Sequence, residues 1–209
     1  MTEENQINSS NYKNLLLNNK KSLIILILFL LISLFAYFFY IDYKKDIKVQ
    51  ISEKYNLAII NYNKDSPNLT LSEMKNIINS KDPTYSPLAL YFLLDNNLLI
   101  EKNEINKYFD ILIYNVDLDK EIKNLVIYKK GLFNSNSATE AELLDIFKPL
   151  LNNENMWKSH ALYILAEYFF SKNEKQKSKE FFEKIIETKN SNPQIKLEAQ
   201  KRLSRDFSV

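Results

Sequence analysis

His160 is the only histidine of this 209-residue chain, and Trp157, three residues before it, is the only tryptophan. An imidazole can act as a general base when the fold sets a nucleophile or an acid within hydrogen-bond reach. A Ser-His-Asp arrangement would have to be built on this one residue. No second histidine and no cysteine accompanies it, which removes multi-His and thiolate metal sites, disulfides and a cysteine nucleophile. A carboxylate pair is the remaining catalytic option, and no nucleotide, metal or nucleophile motif stands beside it. The plainer reading is structural: Trp157 plugs a junction between helices, and His160 is partly exposed next to it. The chain is expected not to be an enzyme, with no catalytic, cofactor-binding or metal-binding residues and no cofactor.

Gly131 is the only glycine. Phosphate-cradling and dinucleotide-binding loops need several glycines, because backbone must approach phosphate closely. The same scarcity argues against tight hairpins and for a succession of helices. Lys and Arg total 28 against 26 Asp and Glu, and no basic block stands alone, so nothing marks a nucleic-acid partner. Lys172, Lys175, Lys177 and Lys179 alternate with Glu174, Glu180 and Glu183, the pattern of a solvated helix face.

Residues 22–41, SLIILILFLLISLFAYFFYI, carry no charge. At 1.5 Å per residue that length makes a helix of roughly 30 Å, the thickness of a bilayer core. Lys20 and Lys21 bound it on one side, Asp42, Lys44 and Lys45 on the other. Tyr37, Tyr40 and Tyr43 suit the headgroup level. A cleaved signal peptide would have a shorter apolar core followed by small residues, whereas this run ends in bulky aromatics. An uncleaved single-span anchor is expected, preceded by a disordered polar tail over 1–21 and followed by a helical stalk over 42–64.

The remainder, 65–209, reads as all-α. Thr70-Leu71-Ser72-Glu73 and Thr139-Glu140-Ala141-Glu142 both match the capping box. Ser86-Pro87 and Asn192-Pro193 place a capping side chain before proline, which predicts two further helix starts. Apolar residues recur at helical spacing in three stripes. The first is Ile105, Tyr108, Phe109, Leu112 and Ile113. The second is Ile122, Leu125, Val126, Leu132 and Phe133, and the third is Leu143, Leu144, Phe147, Leu150 and Leu151. Long helices are predicted to begin near Tyr85, Lys120 and Asn155, a period of about 35 residues. Pairs of helices at that interval bury their faces only by stacking on neighbours.

The last pair resembles a tetratricopeptide unit. Its large apolar positions fall on Leu162, Leu165 and Phe169 and its small one on Ala166. Asn173 sits at the turn, where it tolerates a left-handed backbone. Ser178 takes the small position of the second helix and Phe182 the aromatic one, while Ile185 departs from the usual alanine. A capping helix is predicted over 193–207. One span, a stalk and a short degenerate array resemble the YfgM-like family of ancillary SecYEG translocon subunits. Lys148-Pro149-Leu150-Leu151 and Trp157-Lys158-Ser159-His160-Ala161-Leu162 are especially similar to alphaproteobacterial members.

That resemblance implies an inner-membrane protein with a cytoplasmic amino terminus and periplasmic repeats, close to Sec translocon subunits and a periplasmic chaperone. Lysines lean slightly the other way, with Lys13, Lys20 and Lys21 before the span and Lys44, Lys45, Lys48 and Lys54 after it. A large following domain translocates largely regardless of nearby charge, so the periplasmic placement is kept. The expected function is a tethered scaffold that binds other proteins through a concave groove lined by first helices. A coordinator of envelope assembly or cell division would share this architecture, and a membrane-anchored enzyme is the reading from another class.

Overall fold

A computed structural model describes residues 20–207 of the chain. The tail expected over 1–21 therefore lies outside the described residues up to Asn19. Among the described residues there are nine helices and no strand. They are α1 (Lys20–Ile60), α2 (Asn68–Asn79), α3 (Tyr85–Asp95), α4 (Lys102–Asn115), α5 (Lys120–Asn134), α6 (Glu140–Leu151), α7 (Lys158–Ser171), α8 (Lys175–Glu187) and α9 (Pro193–Asp206).

The chain divides into two compact units, the first ending at Gln50 and the second beginning at Ile51. In the first unit α1 is long and apolar enough to cross a membrane, and its apolar side chains between Ile24 and Ile41 are all exposed. An unbroken apolar surface of that length has no aqueous equivalent of a core to enter.

In the second unit, helices adjacent in sequence pack in pairs: α2 on α3, α5 on α6, α7 on α8. Further contacts join α5 to α7 and α7 to α9, while at the other end α2 meets α4. Short polar turns set this order. Asn97 and Asn173 both adopt a left-handed backbone, with φ of 53° and 62°. At each turn the residue after Asn donates its N–H to the carbonyl five residues back: Leu98 to Leu93 and Glu174 to Phe169, both at 2.9 Å. Asparagine thus supplies the helix-ending conformation for which glycine is the usual residue.

Two helix starts differ from the sequence reading. Thr70 lies inside α2, where its buried hydroxyl donates to the Ala58 carbonyl at 3.4 Å, so it caps nothing. Ser86 is likewise inside α3 and donates to the Ile77 carbonyl at 2.9 Å. The start of α3 is held instead by Asp82, whose Oδ1 accepts from the N–H groups of Thr84 and Tyr85. Both hydroxyls found tertiary partners, which outweigh a local cap. The other two starts form as read. Thr139 and Glu142 make the reciprocal capping box, and Asn192 Oδ1 accepts from Gln194 and Ile195.

The stripe assigned to α5 also needs correction. Ile122, Leu132 and Phe133 are exposed, and the buried face is Asn124, Val126, Ile127, Gly131 and Asn134. Gly131 is buried because α6 approaches closely. A Cβ added there would lie 2.1 Å from Cζ of Phe147. Asn134 is buried because it exchanges amide hydrogen bonds with Asn106 of α4, at 2.7 and 3.1 Å. Paired amides can occupy a helix interface that an apolar pattern does not mark. The stripes of α4 and α6 do face the core, with Phe109, Leu112, Phe147 and Leu150 fully buried.

Candidate protein-binding surface

The residues assigned to the last pair all sit on or beside α7 and α8. Leu162, Leu165, Ala166, Phe169, Ser178, Phe182 and Ile185 are buried. Ala166 and Ser178 let the two helices come close, and the Ser178 hydroxyl donates to the Ala166 carbonyl at 2.8 Å. Phe169 stacks on Phe181 with centroids 5.3 Å apart. Leu162, Ala166, Phe182 and Ile185 join Ala199 of α9 in a small separate core. These side chains build the scaffold.

Trp157 and His160 stand elsewhere. Asn155 Oδ1 accepts from the Trp157 N–H at 2.9 Å, which sets the entry into α7. The indole stacks on Tyr128 of α5 at 5.2 Å, and His160 meets Tyr128 edge-on at 5.6 Å. The imidazole Nδ1 lies 3.3 Å from the Met156 carbonyl. Burial holds the His160 pKa below its ordinary value, so the ring is neutral near pH 7. Among the described residues its one hydrogen-bond partner is that backbone carbonyl. Among the described residues no cluster of His, Asp and Glu has metal-binding geometry.

Viewed across α3, α5, α7 and α9, the same aromatic trio is the middle of a longer band. On one side the Lys129 ammonium of α5 lies 4.5 Å above the Tyr91 ring of α3. On the other, Tyr163 and Glu167 of α7 adjoin Arg202 of α9, whose guanidinium pairs with Glu167 and Asp206. Arg202 also covers the rings of Phe170 and Phe182. Arginine alongside Asp206 draws that carboxyl down to about 2, with Arg205 contributing most. Burial pushes the Tyr91 phenol far above its ordinary value, and Tyr128 and Tyr163 are raised for the same reason.

Three buried donors on this band have no hydrogen-bond partner among the described residues: Tyr91 Oη, Trp157 Nε1 and Arg202 Nη2. An orphaned buried donor costs about 1–3 kcal/mol of desolvation, and most such donors in proteins are paired. Here one lies on α3, one at the start of α7 and one on α9. Tyr91, Tyr128, Lys129 and Arg202 were not marked by any motif. Their one sequence signal is that Tyr91, Tyr128 and Tyr163 recur at nearly the period of the helix pairs.

No protein-family model, curated protein or solved structure matches this chain.

Proposed function

We propose that this protein is a non-enzymatic, membrane-anchored scaffold whose second unit is a degenerate tetratricopeptide-like array. Its work is to hold partner proteins at the periplasmic face of the inner membrane, as an ancillary component of the Sec translocon and its chaperones. The carrying observation is the band on α3, α5, α7 and α9. Stacked rings present broad apolar area at low entropic cost, and the donors buried with them become reachable as the band opens on binding. Tyr91 Oη, Trp157 Nε1 and Arg202 Nη2 are all donors, so a partner that offers carbonyl or carboxylate oxygens fits them best. An extended segment or a helix end of another protein presents such oxygens. The apolar run in α1 supplies the tether, and confinement to one membrane raises the effective concentration of a weak partner.

Two measurements test this. A photo-crosslinking phenylalanine analogue in place of Tyr128 should capture a defined neighbour in native membranes, while the same analogue at exposed Lys148 on α6 should not. Equal capture at both positions would remove the band from partner binding. For location, Lys175→Cys introduces the sole thiol into a cysteine-free chain. A membrane-impermeant maleimide should label it once the outer membrane is opened and the inner one is intact. Labelling only after inner-membrane lysis would place the array in the cytoplasm and refute the translocon role.

A further inference from the structure

The two ends of the helical unit are finished differently. The carboxy-terminal end is closed by α9, which turns Gln200, Lys201, Ser204 and Arg205 outward and seats Ala199 inward. Repeat arrays need such a polar outer face at each terminus. The amino-terminal end mixes polar residues with large apolar ones. There the last turns of α1 and the first turns of α2 leave Leu57, Ile60 and Leu69 exposed at 57%, 76% and 70%. A cleft of about 310 Å³ opens beside them, lined by Lys54, Leu57 and Ala58 of α1 and by Leu69, Thr70 and Glu73 of α2.

The charges on this cleft identify its occupant. Lys54 sits on the α1 wall and Glu73 on the α2 wall, and neither has an ion pair or hydrogen bond among the described residues. Ion pairs join helices elsewhere in the unit: Lys75 with Glu104, Lys130 with Asp110, Lys177 with Glu140. We propose that this end is a self-association surface and that a second copy of the chain covers it. A two-fold axis running along the cleft exchanges its walls. It sets Leu57 of each copy against Leu69 of the other, and Lys54 of each against Glu73 of the other. A two-fold interface must be self-complementary in this way. A foreign partner would need no such match of the patch with itself.

The test uses the full chain in detergent micelles, with its mass followed by sedimentation equilibrium as protein per micelle is varied. Wild type should dimerise reversibly. Lys54→Glu, at an exposed position, and Glu73→Lys, at a half-buried one, should each weaken the dimer by about tenfold or more, because both cross-pairs become like-charged. An equimolar mixture of the two variants should dimerise as tightly as wild type, since every cross-pair is again opposite in sign. Circular dichroism of each variant checks that helix content is unchanged, and Leu69→Ser gives a second, uncharged route to weakening. Wild type that stays monomeric throughout, or a mixture no tighter than either variant alone, overturns the proposal. Neither result bears on the band that carries the proposed function, which lies on other helices.

Discussion

The pairs α5/α6 and α7/α8 reach the same end by different means. In α7/α8, two small residues face each other, Ala166 and Ser178, and a hydrogen bond from the serine hydroxyl to the alanine carbonyl joins the backbones. Aromatic rings then fill the flanks, Phe169 on Phe181 and Phe182 beside Tyr163. In α5/α6 the close approach is one-sided: the Phe147 ring of α6 enters the space where Gly131 has no side chain. A small-on-small contact tolerates a little adjustment on both sides. A ring seated on a glycine tolerates none, because a fully buried phenyl group cannot turn away. The comparison teaches that two helix pairs of one chain can pack closely through residues of different class.

The largest expected effect is in α7/α8. Phe182 is fully buried and touches Tyr163 and Phe207, so Phe182→Ala should cost about 3–5 kcal/mol of unfolding free energy. Denaturant titration checks it, and an unchanged midpoint would remove Phe182 from the core. Next comes α5/α6. On an exposed helix Gly→Ala gains about 1 kcal/mol, but Gly131→Ala should instead lose about 1–3 kcal/mol through overpacking against Phe147. The Phe147→Leu change should then cost less in the Gly131→Ala background than in wild type, as coupled neighbours require. Additive losses would mean the two residues do not meet. A smaller effect is expected from Ser178→Ala, about 1 kcal/mol for one buried hydrogen bond, with α7/α8 still paired.

The smallest effect lies where α5 meets α7. Burial lowers the His160 pKa, so below the unfolded value near 6.5 the unfolded chain binds a proton that the folded chain resists. Stability at this site is therefore complete above about pH 6.5 and falls as the pH drops through the folded pKa. Thermal midpoints between pH 7 and 5 should decline less in His160→Gln than in wild type. Identical slopes would take His160 out of the balance.

Much of the scaffold was readable before any coordinates. Unbroken apolar length marked α1, and Thr139 with Glu142 and Asn192 with Pro193 marked two helix starts through local chemistry alone. Ala166, Ser178 and Phe182 were readable because small and aromatic residues there keep a familiar spacing. What stayed hidden depended on contacts distant in sequence. Thr70 and Ser86 look like caps, yet their hydroxyls bond to Ala58 and Ile77. Val126 of the predicted stripe is buried in α5, but the rest of that face includes a glycine and two asparagines, residue types no hydrophobic pattern selects. The band escaped for the same reason: Tyr91 and Lys129 are neighbours only once α3 and α5 lie side by side. A periodic search on tyrosine would have drawn attention to it, but not to its unpaired donors.

Trp157 makes the band directly observable, because it is the only tryptophan and stands at the centre of that face. Full-length chain grown with 5-fluorotryptophan gives a single ¹⁹F resonance in detergent micelles, and an unlabelled partner adds none. The neighbour captured by the crosslinker at position 128 should shift that resonance on titration, as the indole N–H gains an acceptor. The shift should saturate with the binding curve and should be lost in Tyr128→Ala. A resonance that stays in place while the partner binds to saturation would contradict the assignment of this band as the contact surface.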